Sequence, residues 1–224
     1  MSKISRGKKG EEKVISTLNK DKQYHRIIND VTFINDNSEM SHQVDHIFIH
    51  PHGVFVIETK NYYGEINAET GEPFWLKTIN GKTEKIHNPL KQNKNHTRIV
   101  KRLLKNQFET ISVVVFVQNN APYLADDNVI NLSDLLLFID SYPYQKLISK
   151  NEIDGIYKII KENSTNISKK EHVENISYLK QINHEIKAEI AYALESRVCT
   201  RCDAKIVQEG DIFHCSKCDF KFKF

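Results

Sequence analysis

One stretch, His42 to Tyr63, limits the fold of this chain more than any other. Val44, Ile47, Phe48 and Ile49 read as one strand, and Pro51-His52-Gly53 turns the chain. Val54-Phe55-Val56-Ile57 opens the next strand, which continues through Glu58, Thr59 and Lys60. An almost continuous apolar run belongs to a strand buried on both faces. This one ends in Glu-Thr-Lys, and charged groups in such a place are costly unless they are paired or bound to a metal.

The other elements alternate in type. A first helix is expected over residues 8–20, where Val14, Ile15 and Leu18 share a face at helical spacing. A strand follows at 24–35, then a turn at Asp36-Asn37-Ser38. Further strands are expected near 64–67, 74–79 and 83–87, the last two joined by an Asn80-Gly81 hairpin turn. Asn88 caps a helix over 89–106, with Pro89 in its first turn. Ile111–Val117 is a second buried strand and residues 129–132 a short third; helices are expected over 134–140, capped by Ser133, and 144–162. Strands with helices before, between and after them make an α/β fold, a mixed central sheet flanked by helices.

Residues 163–168 are polar and read as a linker. Over 169–197, Val173, Ile176, Leu179, Ile182, Ile186 and Ile190 recur at intervals of three and four. That helix would extend for roughly 40 Å. It either docks on the preceding domain or pairs with a second copy, giving a homodimer. The expected organisation is a domain over 1–162, a linker and long helix over 163–197, and a small unit over 198–224.

With 39% hydrophobic and 27% charged residues, a collagen-like or wholly disordered chain is excluded. The longest apolar stretch, Ile111–Val117, is far short of the ~20 residues of a membrane span. The basic N-terminus lacks the apolar stretch of a signal peptide, so a cytoplasmic protein without a membrane partner is expected. A net charge of +3 permits a nucleic-acid partner without demanding one. Basic residues cluster at Lys3–Lys13, Lys91–Lys105 and Lys217–Lys223.

All four cysteines lie near the C-terminus, Cys199, Cys202, Cys215 and Cys218, as two Cys-x2-Cys pairs twelve residues apart. Two such turns facing each other make a tetrahedral thiolate site suited to Zn²⁺. Gly210-Asp211 turns a hairpin between them, with Ile206, Val207, Ile212 and Phe213 as its strands. Four protein ligands leave no open position, so the metal is structural. The tail resembles the zinc ribbon appended to some DNA topoisomerases. Phe213, Phe220 and Phe222 alternate with lysines, as stacking platforms beside phosphate-binding cations or as the ribbon's own core.

Glu58 and Lys60 are two residues apart on a strand and project from the same side. A hairpin at Pro51-His52-Gly53 brings Asp45 towards Glu58. Adjacent carboxylates repel unless a divalent cation binds between them, and Mg²⁺ prefers such oxygen ligands. An added lysine completes the parts of metal-assisted phosphodiester hydrolysis. His46, His50 and His52 read as turn or substrate-side residues. The basic side of the 89–106 helix, Lys91, Lys94 and Arg98 among others, is either a solvated face or a phosphate track.

Gly10-Glu11-Glu12-Lys13-Val14, Gln43-Val44-Asp45-His46-Ile47, His52-Gly53-Val54-Phe55-Val56-Ile57-Glu58-Thr59-Lys60-Asn61, Tyr63-Gly64 and Asn88-Pro89-Leu90-Lys91-Gln92 occur in order. This series closely resembles the nuclease-related domain, NERD, of the PD-(D/E)xK nuclease superfamily. The resemblance implies a restriction-endonuclease-like sheet and a Mg²⁺- or Mn²⁺-dependent nuclease acting on DNA, with RNA the other candidate. It also implies Asp45 and Glu58 as metal ligands, Lys60 as catalytic lysine, Gln92 lining the site and Glu11, with Glu12 beside it, as the first-helix carboxylate. The alternative is a non-catalytic nucleic-acid-binding module that keeps the fold.

Overall fold

The computed structural model describes residues 3–34, 41–69, 71–124, 128–165 and 169–223. The chain divides into two compact units, Met1–Ile167 and Ser168–Phe224. The expected turn at 36–38 lies outside the described residues.

The first unit begins with helix α1 (Lys3–Leu18), followed by strands β1 (Arg26–Ile34), β2 (Ser41–His50) and β3 (Gly53–Lys60). A small sheet of β4 (Glu65–Asn67), β5 (Phe74–Ile79) and β6 (Lys82–His87) comes next. Helix α2 (Pro89–Leu103), strands β7 (Thr110–Phe116) and β8 (Val129–Asn131), and helices α3 (Leu135–Ser141) and α4 (Lys150–Glu162) complete it. The main sheet has the order β1-β2-β3-β7-β8, antiparallel from β1 to β3 and parallel from β3 to β8. The architecture is therefore a mixed α/β fold, as the order of elements predicts.

Strand β3 is central, which explains its unbroken apolar run. Val54 and Val56 enter a core with Ile47, Val100, Leu104, Ile153 and Ile156, on the side of α2 and α4. Phe55 and Ile57 enter another with Phe48, Val14, Leu18, Leu135 and Ile139, on the side of α1 and α3. The small sheet buries Ile66 and Trp75 with Leu90, Val114 and Phe116.

The edge pair changes face midway. In β1, Ile28, Val31 and Phe33 all reach the α2–α4 core, so the alternation slips by one residue between 28 and 31. The slip falls at Asp30, whose φ is 51°, a conformation aspartate tolerates better than most residues. In β2 the same slip separates Val44 from Ile47 and Ile49. Beyond His46↔Ile57 the β2–β3 ladder stops and the two strands diverge.

Three helix starts differ from the sequence expectation. α1 begins well before residue 8, because its first turns are basic and glycine-rich and carry no apolar period. Gly10 is there for close approach: a Cβ would stand 2.8 Å from Asn61 Cβ. α3 follows a 3-10 turn (Leu132–Asp134), and its N-cap is Asp134, without a side-chain cap bond, rather than Ser133. α4 starts at Lys150 because Ser149 and Glu152 form a reciprocal capping box.

In the second unit, helix α5 (Lys169–Ser196) leads into β9 (Ile206–Glu209), β10 (Ile212–Cys215) and β11 (Lys221–Lys223), ordered β11-β10-β9. Ala193 of α5 is buried in the ribbon core, with Ile190 and Leu194 packed against it. Phe213, Phe220 and Phe222 occupy that same core, at most 9% exposed. Phe213 and Phe222 stack with centroids 5.3 Å apart. Their faces are spent on one another, so the stacking-platform expectation for these three rings is corrected: a unit this small has no other aromatic core.

Candidate active site

The divergence of β2 and β3 makes the site. Where the ladder ends, the Asp45 side chain takes over from the missing backbone partner: Thr59 N–H donates to Asp45 Oδ2 at 2.8 Å. Behind it, His46 is 1% exposed. Its Nδ1 lies 2.8 Å from Asn29 Oδ1, an acceptor, so Nδ1 carries the ring proton and Nε2 accepts from the Thr59 hydroxyl at 3.1 Å. Burial, partly opposed by Asp30, pushes His46 down to about 4, so the ring is neutral. His52 lies in the turn between β2 and β3, as expected; His46, His50 and His52 are all buried, so the substrate-side expectation for them is corrected.

Glu58 and Lys60 share a face, as their spacing requires. Glu58 is 3% exposed, and Lys60 Nζ donates to its Oε1 at 2.5 Å. Gln92 Oε1 stands 3.4 Å from the same Nζ. Burial disfavours the ammonium of Lys60, but Glu58, Tyr62 and Asp45 outweigh it and hold the lysine above its ordinary range. Glu58 Oε2 is different: it is buried and, among the described residues, forms no hydrogen bond. A buried carboxylate oxygen without a donor is costly, and a divalent cation would satisfy it. By that criterion Glu58 fits Mg²⁺ or Mn²⁺.

Helix α2 supplies the facing wall. Asn88 caps it by accepting from the Leu90 and Lys91 N–H groups. One turn on, fully buried Asn93 donates to Val56 O, Ser112 Oγ and Val113 O, clamping the helix to β3 and β7. This seats Gln92 beside Lys60. His96, one further turn along, is 5% exposed, and its Nδ1 lies 3.7 Å from Glu58 Oε2. Sequence reasoning missed His96; its spacing of four from Gln92 was the available signal. Lys91, Lys94 and Arg98 are exposed on the same helix.

Helix α1 approaches the end of β3 through Asn61, which donates to Arg6 O at 2.8 Å and accepts from Gln118 at 2.6 Å. Glu11 is half-buried on this helix and Glu12 exposed. An open cleft of about 410 Å³ lies beside Lys60, lined by Arg6, Tyr62, Tyr63, Lys77 and Lys85 among others. Tyr62 packs on Phe116 and beneath Lys77, while Tyr63 is 49% exposed.

Residues 6–117 match the nuclease-related domain, half of the chain, from within α1 to just past the end of β7. This chain belongs to the nuclease-related domain family. The nuclease-related segment contains Glu11, Asp45, Glu58, Lys60, Gln92 and His96. A relative, an uncharacterized protein of Bacillus anthracis (pXO1-01), is 31% identical over 161 residues, covering 69% of this chain and 75% of the relative. No solved structure matches the chain.

In the second unit, Cys199, Cys202, Cys215 and Cys218 bring their sulfurs within 4.8 Å of one another. The Cys199–Cys218 and Cys202–Cys215 sulfurs are 3.6 and 3.4 Å apart. Tetrahedral Zn–S bonds of ~2.3 Å require sulfurs ~3.8 Å apart, so the cluster fits that ion. Burial opposes ionisation of Cys215, but the N–H groups of Cys218 and Lys217 aimed at its sulfur bring it down to about 6. No described helix is long and apolar enough to cross a membrane.

Proposed function

We propose that this chain is a Mg²⁺- or Mn²⁺-dependent deoxyribonuclease that hydrolyses phosphodiester bonds through Asp45, Glu58 and Lys60. The observation that carries the reading is the Glu58 carboxylate. It is buried next to Thr59, whose N–H Asp45 accepts, with Lys60 on one oxygen and, among the described residues, no hydrogen-bond donor on the other. A nucleic-acid binder without chemistry gains nothing from carboxylates near phosphates.

A bound divalent ion would act as a Lewis acid and lower the pKa of a coordinated water, making its hydroxide available to attack phosphorus. Asp45 and Glu58 hold it, Asp45 kept in place by the Thr59 N–H. Lys60 offers its ammonium to the charge that develops on the phosphoryl oxygens. Gln92 restrains Lys60 from the opposite wall, and Glu11 supports the site from α1. Lys91, Lys94 and Arg98 provide a phosphate track along α2. Zn²⁺ on the four cysteines is structural and keeps the ribbon folded, and the exposed lysines of β11 serve nucleic-acid contact there.

Supercoiled plasmid, linear duplex, single-stranded DNA and RNA are incubated with Mg²⁺ or Mn²⁺ and with EDTA. The expected result is metal-dependent cleavage of DNA, abolished in Asp45→Asn and in Lys60→Ala with folding intact. Cleavage by Lys60→Ala at the wild-type rate refutes the role of that lysine. A salt-sensitive gel shift without cleavage in any metal refutes catalysis altogether.

A further inference from the structure

We infer that His96 is a ligand of the divalent cation held by Glu58, making this a mixed oxygen–nitrogen site that takes Mn²⁺ in preference to Mg²⁺. The inference rests on the metal-dependent reading above and extends it to a residue outside the Asp…Glu-x-Lys pattern.

Three observations carry it. Glu58 divides its two oxygens: Oε1 receives Lys60, whereas Oε2 is buried and, among the described residues, without a hydrogen bond. The nitrogen facing that oxygen is His96 Nδ1, 3.7 Å away, with both side chains no more than 7% exposed. This is too long for a hydrogen bond. Two neighbouring donors ~2.1 Å from one octahedral ion stand ~3 Å apart, so an arriving ion would need to draw this pair together by less than about an ångström. The third is rigidity. Asn93 locks α2 onto β3 and β7 through three hydrogen bonds, and Thr97 Oγ1 donates to Asn93 O. His96 is thus aimed by its scaffold, and the ring of His42 braces it edge-on at 6.2 Å between centroids.

Imidazole is a poor partner for Mg²⁺, which favours oxygen and retains its waters, but a good one for first-row transition ions. The nitrogen therefore gives the site a metal preference that two carboxylates alone do not.

The test is spectroscopic. Untagged, zinc-loaded full-length protein is titrated with Mn²⁺, and binding is followed by loss of the free-ion EPR signal. Electron spin-echo modulation of the bound ion then reads out nitrogen coupling. The expected wild-type spectrum shows ¹⁴N modulation, changed to a ¹⁵N pattern by ¹⁵N-histidine labelling. His96→Gln abolishes the modulation and weakens Mn²⁺ binding about tenfold or more, while Mg²⁺ binding, measured by competition, changes less. His42→Asn keeps the modulation. Bound Mn²⁺ without nitrogen modulation in wild type overturns the ligand assignment and leaves the two-carboxylate site standing. So does modulation that persists in His96→Gln. Failure of wild type to bind Mn²⁺, or equal binding by Glu58→Gln, overturns the metal site itself. The wild-type labelling experiment decides the coupling even if His96→Gln fails to fold.

Discussion

Lowering the pH should weaken the first unit through His50. This ring is fully buried between the Phe48 and Phe55 rings. Its Nδ1 accepts the His52 N–H at 3.2 Å, so Nε2 carries the ring proton and faces Asp21 Oδ2 at 3.5 Å. Burial pushes His50 down to about 4 from 6.5; Asp21 and Asp140 oppose the shift, and His52 and His25 add to it. The folded value lies below the unfolded one, so the unfolded chain binds the extra proton between those two pH values. The stability tied to the neutral ring is complete above about pH 6.5 and is lost as pH falls towards 4. The whole window amounts to about 3 kcal/mol, and a fall from pH 7 to 5 removes about 2 kcal/mol of it. Urea unfolding can be followed by Trp75 fluorescence, since this single tryptophan is 1% exposed in the first unit. His50→Gln retains an N–H for Asp21 but does not titrate. Wild type should lose about 2 kcal/mol more than His50→Gln between pH 7 and 5; His46 titrates in both proteins and cancels. Equal losses would show that the buried ring is not held neutral and would refute the reasoning.

Asn93→Ala removes the amide that serves three acceptors on β3 and β7. A loss of about 2–3 kcal/mol in urea unfolding is expected, and an unchanged midpoint would show that α2 is held otherwise. Gly10→Val places a side chain 2.8 Å from Asn61 Cβ. It should cost about 1–3 kcal/mol by overpacking, whereas Gly71→Val, with nothing nearby, should be neutral by the same assay. A mercurial that displaces thiolate-bound metal should release one Zn²⁺ per chain, as read by a colorimetric chelator, and broaden the NMR signals of residues 198–223. The Trp75 emission, from the other unit, should stay unchanged. A metal content of zero after expression in zinc-supplied cells would count against the ribbon site.

Much of this molecule was legible in the amino-acid sequence where a single local rule governs. The run Val54–Ile57 announced a strand buried on both faces, Asn80-Gly81 announced its hairpin, and Asn88-Pro89 announced the start of α2. Glu58 and Lys60 were legible as a same-face pair because strand alternation is strict. What was not legible depends on non-local contact. The spacing of four puts His96 on the helix face of Gln92, but only the fold reveals that its ring confronts Glu58. The slip of alternation at Asp30 is a backbone event with no side-chain period to announce it. Phe220 and Phe222 alternate with Lys221 and Lys223 in any reading, and their burial with Phe213 follows from how three short strands close around four sulfurs.

The position of β3 bears on how the site responds to its ligands. Its residues pair with β2 on one side and β7 on the other, and the β7 pairing runs through Glu58, Thr59 and Lys60. At Glu58 to Lys60 the backbone is held on one side by β7 and on the other by the Asp45 side chain, which takes the Thr59 N–H, so it needs little ordering when an ion or a phosphate arrives. Association then costs little conformational entropy at the reacting centre. Any adjustment to a bound ligand is left to less buried elements, such as the hairpin of β5 and β6, whose residues are mostly exposed.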